Sequence, residues 1–313
     1  MIKTQHIKKC LLFMLLLAGI VQLDAQQLPQ YTQYMLNDFP INPAIAGKGK
    51  DYWDCVSNNR YQWSGITDAP RTNILSINGP SANRKMGFGG TLFTDIVGPT
   101  RRVGLQLAYS YHLKLSETFR LNLGLSAGIL QYSVDGHKLY LHDADDPVIP
   151  IVYKSALVPD FGGGLYLHSD KFYLSLSVPQ FYDAQVKFDQ MTHSNLSRIK
   201  PHMYGLIGYK FDLGEDFQLE PSVMVKYVTP APVKVDAGLR FSYRKKIWIG
   251  ANYRTNDALT ALVGCMYNNW LMFGYSYDYT TTRLRNYSSG THEIMLGLRF
   301  TKPAAKTYKD ESE

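Results

Sequence analysis

An all-β fold is what this sequence predicts: an antiparallel transmembrane β-barrel of about 14 strands with an N-terminal periplasmic or plug segment. Three observations carry that expectation. The chain opens with an export leader, runs of about ten residues alternate apolar with polar side chains, and short connections alternate with long ones.

Taken in order, residues 1–25 read as a cleaved signal peptide. Lys3, Lys8 and Lys9 precede the apolar run CLLFMLLLAGIVQL, and Ala25 ends the leader on a small residue. That run is about fourteen residues, short of the ~20 that cross a bilayer as a helix, and no apolar run of that length follows it. Cys10 lies within the leader, so no cysteine stands at the cut for lipid attachment. The whole chain carries a net charge of +7; the leader removes three lysines and Asp24, which leaves +5. The basic residues are scattered, so no nucleic-acid partner is expected. Cys55 and Cys265 are distant in sequence and each sits in an apolar run, so two packed thiols are expected rather than a disulfide.

Residues 26–50 do not alternate and are taken up below. From 51 to 300 the chain reads as the barrel. Strands are expected near 52–60, 71–79, 86–95, 101–113, 118–134, 158–168, 171–181, 202–212, 217–228, 233–243, 246–254, 258–267, 270–280 and 291–300. In RLNLGLSAGIL the odd positions are Leu121, Leu123, Leu125, Ala127 and Ile129, and the even ones are Arg120, Asn122, Gly124, Ser126 and Gly128. VKVDAGLRFSY, WLMFGYSYDY and THEIMLGLRF divide in the same way. Successive side chains of a strand point to opposite faces, so each run has one apolar face and one small or polar face.

A water-soluble sheet also alternates; length and the character of each face separate the two cases. About ten residues cross a bilayer at a tilt. Tyr109, Tyr111, Tyr132, Tyr227, Tyr243, Tyr253, Tyr267, Trp270, Tyr277 and Tyr279 crowd the strand ends, as interfacial rings do. On the polar parity lie Arg102, Arg120, Glu220, Lys226, Asp236, Arg240, Arg254, Asp278, Glu293 and Arg299. An arginine or lysine facing lipid at midplane costs ~2–4 kcal/mol, so this shared phase points the charges into the lumen. An internal ion-pair lattice is the favoured reading of them, ahead of a lumenal binding surface, and Glu220 is expected opposite Arg240.

LSE, SD, LGED, RK and NN close alternate connections, whereas 135–157 and 182–201 are the longest loops. Short periplasmic turns with long outer loops set the orientation, with both mature termini and the polar tail 301–313 in the periplasm. Two misfits stand out. Pro221 interrupts a strand and is expected to mark a bulge, and residues 71–79 alternate poorly.

Motifs for chemistry are weak. Ser110 and His112 share a face but lack a third partner, and His292-Glu293 lies near a strand end. The acidic run HDADDP lacks a calcium-loop spacing and reads as a solvated loop tip. No catalytic residue, metal or cofactor is expected.

LPQYTQYMLNDFPINPAIAG followed by NNRYQWSGITDAPRTNILSINGP resembles the opening of the PorP/SprF family of the type IX secretion and gliding-motility apparatus. That opening reads Q-x-S-Q-Y-M-x-N, I-N-P-A-x-A-G, R-x-Q-W and a G-A-P turn. Here Thr32 stands where Ser is usual, and Asp68 to Pro70 replace G-A-P. GFGGTLFTDIVGP, PDFGGGLYL, LEPSVMVKY, WIGANYRTNDA and FGYSYDYTTTRLRNYSSGTHEIMLGLRF resemble later blocks of the family, so the likeness covers the mature chain. It implies a non-enzymatic integral outer-membrane barrel of Bacteroidetes-type bacteria. Its implied partners are outer-membrane lipids, a secreted protein such as an adhesin with a C-terminal sorting domain, and periplasmic type IX components. The rival class is an outer-membrane channel or transporter for small solutes.

Pro40 and Pro43 bar residues 30–47 from a strand ladder. A helical turn is expected near Tyr31–Leu36 and a turn at INPA. Tyr31, Tyr34, Met35 and Phe39 are expected to pack into or across the periplasmic mouth. Gln33, Asn37, Asn42, Pro43 and Gly47 complete the candidate plug or partner segment. The alternative is a strap exposed to a periplasmic partner.

Overall fold

A backbone crossing hydrocarbon must satisfy every N–H and C=O internally, which a closed sheet does. The computed structural model describes residues 31–49, 51–138, 153–181, 200–229 and 231–301. The leader, residues 26–30, most of the two longest loops with the acidic run, and the tail from 302 lie outside the described residues.

The strands are β1 (Tyr52–Tyr61), β2 (Arg71–Pro80), β3 (Met86–Val97), β4 (Thr100–Lys114), β5 (Arg120–Asp135), β6 (Tyr153–His168), β7 (Phe172–Val178) and β8 (His202–Tyr209). They continue as β9 (Phe211–Leu213), β10 (Phe217–Val228), β11 (Lys234–Tyr243), β12 (Ile247–Arg254), β13 (Ala258–Tyr267), β14 (Leu271–Thr280) and β15 (Thr291–Thr301). All pairings are antiparallel between neighbours, and β1 pairs β15 to close the barrel. β9 extends the line of β8 past Lys210 and pairs the same strand, β10, so fifteen segments form 14 staves.

Large apolar side chains lie outside and polar ones inside. Leu75, Leu92, Leu107, Leu125, Ile207 and Ile249 are exposed, while Ser76, Thr91, Ser110, Asn122, Ser175 and Asn252 are buried. That inversion is the signature of a wall with lipid outside. Residues 71–79 alternate poorly because Ile74 sits on the inward parity, where it is buried in the lumenal cluster.

Three expectations change. Pro221 forms no bulge: Gly208 pairs Ser222 and Phe211 pairs Leu219, so the register passes Pro221 without an extra residue. Its missing N–H instead coincides with the break between β8 and β9. The two thiols are free but are not packed inside; Cys55 is half-buried and Cys265 exposed, both on the outward parity, where apolar thiols suit lipid. The strands beside the longest loop also outrun their expected limits. β5 reaches Asp135 and β6 starts at Tyr153, while β7 stops at Val178.

Hairpin turns at the short-turn end follow the strand twist. Arg244 and Lys245, then Asn268 and Asn269, all take positive φ, as two-residue primed turns require. Asn adopts this conformation readily; Arg244 is secured by Asp216, which accepts from its Nε at 2.9 Å.

Candidate functional site

Residues 31–47 run through the lumen. At the short-turn end the Gly47 N–H donates to Asn78 Oδ1 at 3.2 Å. From there the segment climbs until Thr32 reaches the last residues of β1 and β12, at the long-loop end. Tyr31, Gln33, Tyr34, Met35, Asn37, Phe39, Asn42, Pro43 and Gly47, the candidate residues of the sequence reading, thus lie along the lumen. The expected placement at the periplasmic mouth is too shallow. The reason is the position of the strongest polar partners, which sit at the opposite end.

The local structure follows from the prolines and asparagines. Gln33 O accepts from Leu36 N at 3.0 Å and Asn37 N at 3.1 Å, which makes the single helical turn anticipated there. Two 3₁₀ turns follow, Phe39–Ile41 and Pro43–Ile45, each with proline in its first two positions, where a missing N–H costs nothing. The turn expected at INPA is therefore a capped 3₁₀ turn, with Asn42 Oδ1 accepting from Ala44 N at 2.9 Å. Asn42 Nδ2 also donates to Ser175 Oγ at 2.8 Å and to Leu165 O at 2.9 Å, tying the cap to β7 and β6.

Apolar packing seats the segment. Tyr31, Tyr34, Met35, Phe39, Ile41 and Ile45 form one buried cluster with Ile74, Phe93, Leu130, Val158, Leu206 and Met224 of the wall. Close approach needs glycine at two wall positions. A Cβ on Gly87 would sit 1.9 Å from Ala46 O, and one on Gly124 would sit 2.1 Å from Ala44 N.

Backbone carbonyls of the segment are met by wall side chains. Ser177 Oγ donates to Ile41 O at 2.8 Å, and Ser110 Oγ donates to Ala46 O at 2.7 Å, with His112 Nε2 3.0 Å from the same oxygen. Ser110 and His112 do meet, at 2.8 Å, but both are engaged with a plug carbonyl. His292 and Glu293 face opposite sides of the wall: His292 contacts Tyr275 at 2.7 Å, while Glu293 is buried inside.

The ionic seat lies at the long-loop end. Arg60 donates to Asp278 at 2.7 Å and lies 3.3 Å from Glu293; Arg254 reaches Asp236, Asp278 and Asp257 at 3.2–3.3 Å. Lys226 joins Asp236 at 2.8 Å. Thr32 fills the centre. Its hydroxyl accepts from Arg60 at 2.8 Å and from Arg254 at 3.2 Å, and lies 3.0 Å from an Asp278 oxygen to which it donates. Its N–H donates to Glu293 at 2.6 Å, and the Gln33 N–H to the other oxygen of that carboxylate at 3.2 Å. Paired carboxylates thus receive plug donors, without which buried charge is costly. The Ser-to-Thr departure at position 32 keeps the hydroxyl that this arrangement uses.

The remaining predicted lumenal charges also face inward. Glu220 pairs Arg240 across adjacent strands and accepts from the Tyr173 hydroxyl at 2.9 Å. Arg102 bonds Asp95, and Arg299 bonds Asp54 at 2.8 Å. Arg120 is half-buried on the inward parity, near the short-turn end. Thr32, Asn58, Arg60 and Asp257 belong to the site without standing among the candidate residues predicted from sequence. Asn58 and Arg60 carried a usable signal, since they share the parity of Asp54 on β1; Thr32 carried none in periodicity.

Comparison with known proteins decides the family. The model of the type IX secretion system membrane protein PorP/SprF matches residues 23–298. The chain belongs to the PorP/SprF family. Among curated proteins no relative matches it. Its barrel is similar to the Ralstonia pickettii toluene transporter TbuX, with a TM-score of 0.50 at 10% identity over 85% of this chain and 93% of that one. It is also similar to the monoaromatic hydrocarbon channel CymD, with a TM-score of 0.51 at 10% identity over 85% and 92%. At such identity these likenesses speak to the fold. The PorP/SprF chain is therefore an outer-membrane β-barrel of the type IX secretion system, with its opening segment folded into its own lumen.

Proposed function

We propose that this PorP/SprF protein is a non-catalytic anchor. Its long-loop face, including loops 135–157 and 182–201, holds a secreted partner such as an adhesin through that partner's C-terminal sorting domain. Its short-turn face meets periplasmic components of the secretion machine. The observation that carries this reading is the occupied lumen. Inward side chains from around the wall, among them Val56, Ser76, Asn122, Leu206, Asp236 and Met295, are almost inaccessible around the plug. One cavity between plug and wall, lined by Tyr31, Ile41, Phe93 and Gln106, measures about 50 Å³. That is room for one or two waters rather than a solute path.

The test is affinity purification of the full chain from detergent-solubilised outer membrane, joined to planar-bilayer recording. Co-elution of an exported protein with a C-terminal sorting domain, with no steady current, supports the anchor. Recovery of periplasmic machine components alone points to a core secretion role. Large steady single-channel currents overturn the reading in favour of a solute channel.

A further inference from the structure

We infer that the outer wall carries a binding site for a phosphate-bearing lipid headgroup of the outer leaflet, built on Arg71 and Arg101. Both side chains are exposed on the outward parity at the long-loop rim. Arg71 pairs Ile96, and Ile96 pairs Arg101, so the two guanidinium groups project from one level of the wall, two strands or roughly 10 Å apart.

Among the described residues neither arginine has a carboxylate within ion-pair distance, and the described acids nearby are committed elsewhere. Asp95 faces the lumen and bonds Thr72 and Arg102; Asp68 pairs Lys138, and Asp135 pairs His137. Exposed arginines without counter-charge are ordinary in water, but these face the membrane interface, where phosphate is the available anion and the guanidinium fork binds it bidentately.

The two rows beneath them match the rest of such a lipid. One step down, Asn73 pairs Thr94, and Asn73 Nδ2 donates to Thr94 Oγ1 at 3.3 Å. These groups suit the sugar or glycerol hydroxyls and amides below a phosphate. A further step down, Leu75, Leu92 and Leu105 are paired in register and exposed, at the level of acyl chains. Beside Arg71 on its own level stands Tyr61, exposed and in register with it, as an interfacial ring.

The experiment uses the full chain purified in detergent, with equilibrium binding and native mass spectrometry. The probes are a bisphosphorylated glycolipid, its dephosphorylated form and inorganic phosphate, each alone. R71Q/R101Q is compared with K245Q/K246Q, which removes two charges at the opposite rim; the heat-modifiable gel shift of barrels reports the folded fraction of each. The wild type and K245Q/K246Q bind the phosphorylated lipid alike, and folded R71Q/R101Q loses tenfold or more in affinity. Equal binding of the dephosphorylated lipid, or an unaffected R71Q/R101Q, overturns the site. Inorganic phosphate binding as tightly as the lipid overturns its assignment to a lipid. None of these readouts depends on the secreted partner, so this site and the anchoring role can fail separately.

Discussion

Thr32→Val removes one hydroxyl and keeps the shape of the side chain. In the folded protein that oxygen accepts from Arg60 at 2.8 Å and Arg254 at 3.2 Å and donates to Asp278 at 3.0 Å. A hydrogen bond to a charged group contributes about 1.5–3 kcal/mol. Both arginines and Asp278 keep other partners, so the three losses do not add, and we expect the plug to lose about 2–4 kcal/mol of seating free energy. Each 1.4 kcal/mol is a factor of ten, so local opening of residues 31–47 should become roughly 30- to 700-fold more frequent. Hydrogen exchange of the plug amides in detergent reads that opening directly. Thr32→Ser keeps the hydroxyl and should exchange within a few-fold of wild type. Equal exchange in Thr32→Val and Thr32→Ser would refute the reasoning, because losing the hydroxyl would then have no effect of its own on opening.

Other expectations follow from the same geometry. Deleting residues 30–47 should convert a silent barrel into one that passes steady ionic current in planar bilayers; an unchanged, closed protein would rule out the plug. Gly124→Val places side-chain atoms where Ala44 N lies, so thermal denaturation should show a loss of about 1–3 kcal/mol, with added leak current. Arg240→Ala strands the buried Glu220 carboxylate and should cost about 3–5 kcal/mol, most of it recovered in R240M/E220Q, as equilibrium unfolding in urea would measure. Leu125→Arg on the lipid face should cost ~2–4 kcal/mol in a folding titration into bilayers, and no measurable cost would undo the inside/outside assignment.

Period-two alternation made most of the wall legible. One residue of slip would turn every charge toward lipid, so parity fixes which side chains face inward, and Glu220 and Arg240 could be matched before any coordinates. The plug was legible as an irregular segment, since Pro40 and Pro43 exclude it from the ladder. Its seat was not. Ile74, Phe93, Met224, Leu262, Met272 and Met295 are apolar residues on the inward parity, and they look like errors of alternation until Phe39, Ile41 and Leu36 are packed nearby.

By itself, then, the sequence determined a barrel with charges inside and lipid-compatible side chains outside, because pleat and bilayer thickness both act locally along the chain. Only the tertiary structure decided how far the opening segment climbs. Thr32 meets Arg60, Arg254, Asp278 and Glu293, which come from four strands and lie between 28 and 261 residues away. Convergence of that kind is a property of closure: strands remote in sequence become neighbours around one lumen, and buried charges there draw in whichever donors the chain can bring to them.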